Sequence, residues 1–383
     1  MGNIKRQLNI DLPQGQSAFL WGARKCGKTT WLKEQFPDSL YYDFLKSDLY
    51  LTMLKEPKRL REELLLKKPD KVVILDEVQK IPQLLDEVHY LIENAGISFI
   101  LCGSSARKLK RGQANLLGGR AWRFEMLPLT SKELDKQFDL ITILNRGLIP
   151  NHTLSPHYIR SLKAYIQDYL REEIFAEGLT RNIAAFSNFL DSVVFSQGEL
   201  VNYSNIARDC AVDSKTIKEY YQILVDTHIG YFVYPFKPRS TRQIISATPK
   251  FYLFDVGVAN ALAQIEIKEA KGEHFGRSFE HFIFMELNAH RKYYEIDYPI
   301  EFWRTKNGFE VDFILNKGEI AIEVKGKNKI HSKDLKNLKI FNNDYHPKKS
   351  YIVCNEERAR IVDNIIILPY KEFLNQLWNG QIL

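Results

Sequence analysis

Gly22-Ala23-Arg24-Lys25-Cys26-Gly27-Lys28-Thr29 spaces two glycines, a lysine and a hydroxyl as G-x-x-x-x-G-K-[ST]. The chemistry of that spacing is phosphate capture. The glycines let backbone N–H groups turn inward around phosphate oxygens, and a helix beginning near Lys28 adds its positive dipole end. Lys28 is expected to reach the β- and γ-phosphates of ATP, and Thr29 to ligate Mg²⁺. Gly22, Ala23, Arg24, Lys25, Cys26, Gly27, Lys28, Thr29 and the following Thr30 form the expected ATP-binding segment. An apolar run, Ala18 to Trp21, leads into it, and a helical stretch, Thr29 to Gln35, leads out.

Two further runs carry complementary groups. Val72-Val73-Ile74-Leu75-Asp76-Glu77 reads as a buried parallel strand with two acids at its C-terminal tip. Asp76 would hold Mg²⁺ through water, and Glu77 would orient or deprotonate the attacking water. Phe99-Ile100-Leu101-Cys102-Gly103-Ser104-Ser105 is an apolar strand ending in small polar residues. Lying between the other two strands, it would bring Ser104 or Ser105 beside the γ-phosphate. Arg107, Arg111 and Arg120 follow closely and are candidates for a finger that stabilises transition-state charge across a subunit interface. Arg120, in Gly118-Gly119-Arg120, is preferred.

A second constellation lies near the C-terminus. Gly308 to Leu315 alternates as a strand, Asn316-Lys317-Gly318 supplies a turn, and Glu319 to Lys325 returns. Period-2 geometry puts Glu323 and Lys325 on one face, where Asp312 of the neighbouring strand can meet them. Two carboxylates and an amine at the end of one hairpin form a PD-(D/E)xK arrangement, with Val311 where the pattern's name has proline. Asp312 and Glu323 would hold Mg²⁺ or Mn²⁺, and Lys325 would orient or activate water for phosphodiester attack. Glu280, on an apolar helix opened by Arg277-Ser278-Phe279, fits an additional acid. Thr305 and Lys306 are expected near the substrate. A solvated strand face would use the same residue types.

Between these sites lies a run with the order helix, turn, helix, wing. Tyr203 to Asp209 reads as a short helix and Ala211 to Asp213 as a turn. Ser214 reads as the cap of a helix over Lys215 to Thr227, and a hairpin-like stretch runs from Ile229 to about Ile245. Lys215, Lys218, Lys237, Arg239 and Arg242 are candidate phosphate contacts. The same fold also serves as a lid or protein dock.

The elements that must position these residues change character along the chain. Short apolar runs, Ala18–Trp21, Leu40–Phe44, Val72–Leu75, Phe99–Cys102 and Trp122–Met126, alternate with helical patterns and argue for a mostly parallel sheet. From Leu129 to about Phe232 helical periodicity dominates, as in Tyr158 to Phe175. The stretch from Tyr234 to Arg239 reads as a turn or exposed β-hairpin. From Gly276 the order is helix, strand, strand, helix, strand, helix. The chain has 383 residues, 45% hydrophobic and 26% charged, as ordinary soluble proteins do. No apolar run reaches transmembrane length and no signal-peptide core opens the sequence. Four scattered cysteines fit neither a disulfide framework nor a zinc site. A cytoplasmic protein without a membrane partner is therefore expected. The net charge of +7 weakly favours polyanions.

The whole chain resembles the bacterial and archaeal AAA-type P-loop ATPases whose C-terminal half was catalogued as a domain of unknown function. The residues that carry the resemblance are Asp76-Glu77-Val78-Gln79-Lys80-Ile81-Pro82, Gly103-Ser104-Ser105, Gly119-Arg120, Pro128-Leu129-Thr130, Tyr252-Leu253-Phe254-Asp255-Val256-Gly257 and Ile322-Glu323-Val324-Lys325. In that family Ser104 resembles sensor 1. The resemblance implies ATP binding fused to a nuclease-like fold. The expected fold class is α/β. An AAA-like parallel sheet with helices spans 1–145, a helical connector and winged helix 146–250, and a PD-(D/E)xK nuclease-like α/β domain 251–383. The expected function is ATP hydrolysis acting on nucleic acid, DNA in the first place, with a homo-oligomer implied by an arginine finger. The alternative is an NTP-dependent regulatory or defence switch whose nuclease-like domain is a silent binding module.

Overall fold

Apolar runs of four or five residues, without polar alternation, bury both faces only in a parallel sheet covered on each side. The computed structural model of the chain describes residues 4–105, 107, 109, 117–167, 170, 182–237 and 248–383. It divides into two compact units: Leu8–Pro128 with Ile223–Ile229, and Met1–Gln7 with Leu129–Gln222 and Gly230–Leu383.

In the first unit, β1 (Ser17–Trp21), β2 (Leu40–Asp43), β3 (Val73–Asp76), β4 (Phe99–Cys102) and β5 (Ala121–Glu125) pair in parallel, in the order β2-β3-β4-β1-β5. Every residue of β1, β3 and β4 is buried. Helices α1 (Lys28–Gln35), α2 (Ser47–Lys55), α3 (Lys58–Lys67) and α4 (Leu84–Ala95) accompany the strands. Leu60 and Leu64 of α3, and Leu84, Val88 and Leu91 of α4, repeat at helical spacing and enter one core with Phe19, Leu75 and Leu101. Each such side chain contributes roughly 2 kcal/mol by leaving water. Because β4 lies between β1 and β3 and all three run the same way, the segments after Trp21, Leu75 and Cys102 emerge at one edge of the sheet.

The second unit contains α5 (Leu140–Arg146), α6 (Ile183–Val193), α7 (Tyr203–Asp209) and the start of α8 (Ser214–Asp226), followed by a mixed sheet. Its strands are β6 (Gly230–Pro235), β7 (Lys250–Leu253), β8 (Glu301–Arg304), β9 (Glu310–Leu315), β10 (Ile320–Lys325), β11 (Lys349–Cys354), β12 (Arg360–Val362) and β13 (Ile365–Pro369). The order is β12-β13-β11-β10-β9-β8-β6-β7. Helices α9 (Val256–Leu262), α10 (Gly272–Tyr293), α11 (Lys336–Tyr345) and α12 (Tyr370–Trp378) complete it. Phe275, Phe279, Phe282 and Ile283 of α10 lie in one core with Ile322 and Val324 of β10. That packing fixes Glu280, on the same helix, relative to the strand that carries Glu323.

Several expectations change here. A boundary at 250/251 falls inside β7. β6 and β7 pair with each other, and β6 also pairs with β8 through Tyr234↔Glu301 and Pro235↔Phe302. The stretch expected as a wing therefore supplies the edge of a larger sheet. Tyr234 and Pro235 end a strand rather than forming a turn; Pro235 lacks an N–H to donate, and Phe236 N–H donates instead to Phe302 O at 2.7 Å. Asp213, not Ser214, caps α8: its carboxylate accepts from Thr216 N at 2.7 Å, the reach of an N-cap side chain to the third helical residue. Three strands, β8, β12 and β13, add to the order expected after Gly276. Arg111, Arg239, Arg242 and most of the run from Gln167 to Phe175 lie outside the described residues. Among the described residues no helix is long and apolar enough to cross a membrane.

Candidate functional site

The loop after β1 is shaped by its backbone. Gly22 has φ 148°, and a Cβ there would collide with the main chain of Met126. Lys25 takes φ 63°, while Gly27 provides the N-cap of α1. Ala23 and Cys26 are buried, Lys25 and Thr30 are exposed, and Arg24 is half-buried. Lys28 is buried, and its Nζ donates to Gly22 O at 2.7 Å and Ala23 O at 3.0 Å. An ammonium has three donors, so one remains for an anion in the loop.

Thr29, on the first turn of α1, donates its hydroxyl to Asp76 Oδ2 at 2.7 Å. Tyr41 of β2 donates to the same oxygen at 2.5 Å, and Glu77 N–H donates to Asp76 Oδ1 at 3.0 Å. Burial first, then the Asp76 charge, holds the Tyr41 hydroxyl well above its usual range, so it acts as a neutral donor. A hydroxyl and a carboxylate in contact are the hard oxygen donors that Mg²⁺ takes, directly or through its waters, and the pair fits such an ion. Glu77 sits at φ 61°, in the left-handed region that non-glycine residues seldom occupy and that gathers at functional sites. Its Oε2 accepts from Gln79 Nε2 at 2.5 Å, and the same amide donates to Ser104 Oγ at 3.2 Å. A Cβ at residue 103 would collide with the Gln79 side chain, so Gly103 is what lets this amide lie across the strand ends. Ser105 Oγ accepts from Arg107 N–H at 3.2 Å, and Arg107 pairs with Asp226 at 3.3 Å.

Arg120 is not brought to this group. It precedes β5, whose Ala121 is in register with Ser17 at the start of β1, so it stands at the opposite edge of the sheet, where it pairs with Glu93. The span from Ser17 to Trp21 separates the two edges by roughly 13 Å at about 3.3 Å per residue.

In the second unit Asp312, Glu323, Lys325 and Glu280 are brought together, with Lys250, Tyr252, Glu310 and Arg304 around them. Asp312 Oδ2 accepts from Val324 N–H at 2.7 Å. Lys325 Nζ pairs with Glu323 Oε1 at 2.5 Å. The other oxygen of Glu323, Oε2, is buried and has no hydrogen-bond partner. Glu280 Oε1 accepts from Tyr252 OH at 2.5 Å and pairs with Lys250 at 3.4 Å. Glu310 pairs with Lys250 and with Arg304 at 2.6 Å. Burial raises the Asp312 carboxyl well above the usual range, and the charges of Glu323 and Glu280 raise it further. Glu323 is raised mainly by burial, against the pull of Lys325. Burial lowers both ammonium groups, but the acids outweigh it and hold Lys250 and Lys325 above their usual range. Two crowded acids and one unpartnered buried oxygen fit a cation between Asp312 and Glu323. Glu280 is held away from such a role by Tyr252 and Lys250, and among the described residues no set of three or more acids, histidines or cysteines is arranged to hold a metal. Thr305 and Lys306 lie in the turn from β8 to β9.

Asp255 has a structural task. It caps α9 through Val258 N–H and accepts from Leu148 N–H at 2.6 Å, and burial pushes its carboxyl up to about 6. Of the basic residues on α8, Lys215 is exposed and Lys218 lies over the Tyr203 ring at 5.4 Å. Sequence reasoning missed Tyr41, Lys250, Tyr252 and Glu310 as site residues, and gave Gln79 no role. Gln79 had a signal, standing two residues after Glu77. Lys250 and Tyr41 had none, because only strand pairing brings them near.

A sequence model described as an AAA domain matches residues 14–135. Two described as domains of unknown function, DUF8612 and DUF4143, match 137–269 and 275–373. The chain is similar to an uncharacterized protein of Methanocaldococcus jannaschii, 26% identical across 88% of this chain and 83% of that one. Among solved structures it is similar to the Aeropyrum pernix ORC1 protein in complex with DNA, at 13% identity and TM-score 0.29 over 65% of this chain and 86% of that one. The ADP form of the Aeropyrum pernix ORC2 protein gives 14% identity and TM-score 0.33 over 65% and 88%. The AAA-domain match and the loop before α1 together support a P-loop domain of the AAA type.

Proposed function

We propose that the chain binds ATP with Mg²⁺ and hydrolyses it, and that its second unit carries a metal-dependent phosphodiesterase centre acting on nucleic acid. The observation that carries the first part is the Thr29–Asp76 contact beside the buried Lys28, at the strand edge where Glu77 and Ser104 share the Gln79 amide. Thr29 and Asp76 would hold Mg²⁺, which neutralises charge on the β- and γ-phosphate oxygens. Lys28 donates to the same phosphates. Glu77 orients the attacking water and takes its proton, and Ser104 lies where a polar group can meet the γ-phosphate. Arg120, at the far edge of its own sheet, would serve as a finger only toward a neighbouring copy.

In the second unit Asp312 and Glu323 would hold Mg²⁺ or Mn²⁺, which supplies Lewis acidity at a phosphodiester oxygen. Lys325 orients water beside them. Lys215 and Lys218 of α8 are the candidate contacts to a nucleic-acid backbone, in a winged-helix-like run whose wing strand is shared with the sheet. A second reading is favoured by one observation: Lys250, Lys325 and Arg304 already neutralise much of the acid cluster. On that reading the cluster is silent and the unit binds a partner.

Purified chain incubated with labelled DNA or RNA, Mg²⁺ or Mn²⁺, with and without ATP, tests both parts. Phosphate release from ATP that needs Lys28 supports the first. Metal-dependent cleavage that needs Asp312 supports the second, and no cleavage under any condition leaves the silent reading.

A further inference from the structure

We propose that the groove beyond the ends of β10 and β11 is a phosphate subsite for a nucleic-acid strand, an inference that rests on the phosphodiesterase reading of the neighbouring cluster. The groove has a volume of about 830 Å³ and is lined by Asn328, Lys329, Ile330, Asn355, Arg358 and Arg360. Lys325 and Cys354 are in register, and Asn355 N–H donates to Lys327 O at 3.0 Å, so the groove begins one residue past the cluster's lysine. Both polar atoms of the Asn355 side chain are buried without a hydrogen-bond partner. Buried amides left this way are rare, and a ligand or water normally completes them. Glu356, also at the rim, is engaged: it accepts from Ile330 N–H at 2.6 Å and pairs with Arg360 at 2.8 Å. Lys329 and Arg358 are exposed and make no ion pair among the described residues. Glu357 also lines the groove, so its lysine and two arginines face two acids. Two uncommitted cations and an amide donor suit a phosphate, and the spare amide oxygen suits a sugar hydroxyl or a base edge. A strand lying across Asp312, Glu323 and Lys325 would set a flanking phosphate here.

The test is fluorescence anisotropy of the full chain with a labelled single-stranded DNA of about 20 nucleotides, in EDTA so that nothing is cut, across a chloride series. The paired change Lys329→Ala with Arg358→Ala is expected to weaken binding about 10-fold. It should also lower the slope of log K against log salt by about 1.4, at about 0.7 per lost phosphate contact. Asn355→Ala is expected to weaken binding several-fold with the slope unchanged. Lys317→Ala, on the turn between β9 and β10, serves as the control. Unchanged affinity and slope in the paired variant, with an unchanged unfolding midpoint, overturns the subsite. Inorganic phosphate is the second arm. If phosphate at matched ionic strength binds the groove while the DNA does not need it, the nucleic-acid assignment falls. Weakened binding in the variants of a chain that never cuts would keep the subsite and sink the phosphodiesterase reading. Cleavage with unaltered binding in the variants would do the reverse.

Discussion

The two acid-bearing sites are built in different ways. The nucleotide site is assembled from one contiguous loop and the tips of two adjacent parallel strands. The buried Lys28 keeps a donor to spare, and the acids are few: Asp76 accepts three hydrogen bonds and Glu77 one. The cluster of the second unit gathers Lys250, Glu280, Glu310, Asp312, Glu323 and Lys325 from four elements spread over 76 positions. There the acids are crowded and buried, and lysines hold them in place. The first arrangement waits for an anion. In the second, cations already pair with Glu280, Glu310 and one oxygen of Glu323, and the other oxygen of Glu323 is left without a partner. A site poised for a polyphosphate needs spare donors, whereas a site poised for a divalent ion needs spare acceptors.

The comparison breaks most sharply at the cluster. Asp312→Ala and Glu323→Ala should each reduce metal-dependent cleavage to background while leaving ATP turnover within about two-fold, since each removes a donor to a hard cation. Cleavage that survives either change removes the metal reading from these acids. At the nucleotide site Lys28→Ala should weaken ATP·Mg²⁺ binding by at least about 1000-fold, because it deletes the buried ammonium that donates to the loop's own carbonyls and would reach the phosphates. Equilibrium binding of a fluorescent ATP analogue measures this, and unchanged affinity in a folded variant would end the P-loop assignment. Glu77→Gln should bind ATP normally and turn over about 100-fold more slowly, within the range for loss of a general base. Wild-type turnover would move that role to another acid.

This difference in construction also explains what could be read from the residues alone. The P-loop glycines, lysine and threonine lie next to one another, and a strand must precede them and a helix follow. The parallel sheet was legible because buried four-residue runs suit few other arrangements; of its order, only the place of Phe99–Cys102 between the strands that carry the P-loop and Asp76 was read from the residues. Asp312, Glu323 and Lys325 were legible as a hairpin because period-2 alternation relates them locally. Lys250 was not. It lies on β7, after the undescribed residues 238–247, and reaches Glu310 only because β6 joins β7 to β8. For the same reason the stretch from Ile229 to about Ile245 read as a wing. A hairpin's local pattern does not say which third strand it will meet. Asp255 shows the converse: it stands in a motif that carries the family resemblance, yet its carboxylate is spent on the Val258 and Leu148 amides.

The smallest expected effects separate the two sites through a pair of matched tyrosines. Tyr41 and Tyr252 each donate a 2.5 Å hydrogen bond to an acid, Asp76 and Glu280 respectively. Tyr41 is half-buried, and Asp76 keeps the donors of Thr29 and Glu77 when the phenol is lost. Tyr252 is buried at 1% exposure, and Glu280 Oε1 would keep only Lys250 at 3.4 Å. Hydrogen bonds to charged groups contribute about 1.5 to 3 kcal/mol when buried. Tyr252→Phe should therefore lower the stability of the second unit by about 2 kcal/mol, and Tyr41→Phe that of the first by under about 1 kcal/mol. ATP stabilises only the unit that binds it, so in urea unfolding of the full chain the transition that ATP does not move reports the second unit. A lower midpoint with an unchanged slope is the sign of lost stability alone. If Tyr41→Phe proves the costlier change, Asp76 depends on the phenol more than on Thr29, and the nucleotide site is the less solvated of the two.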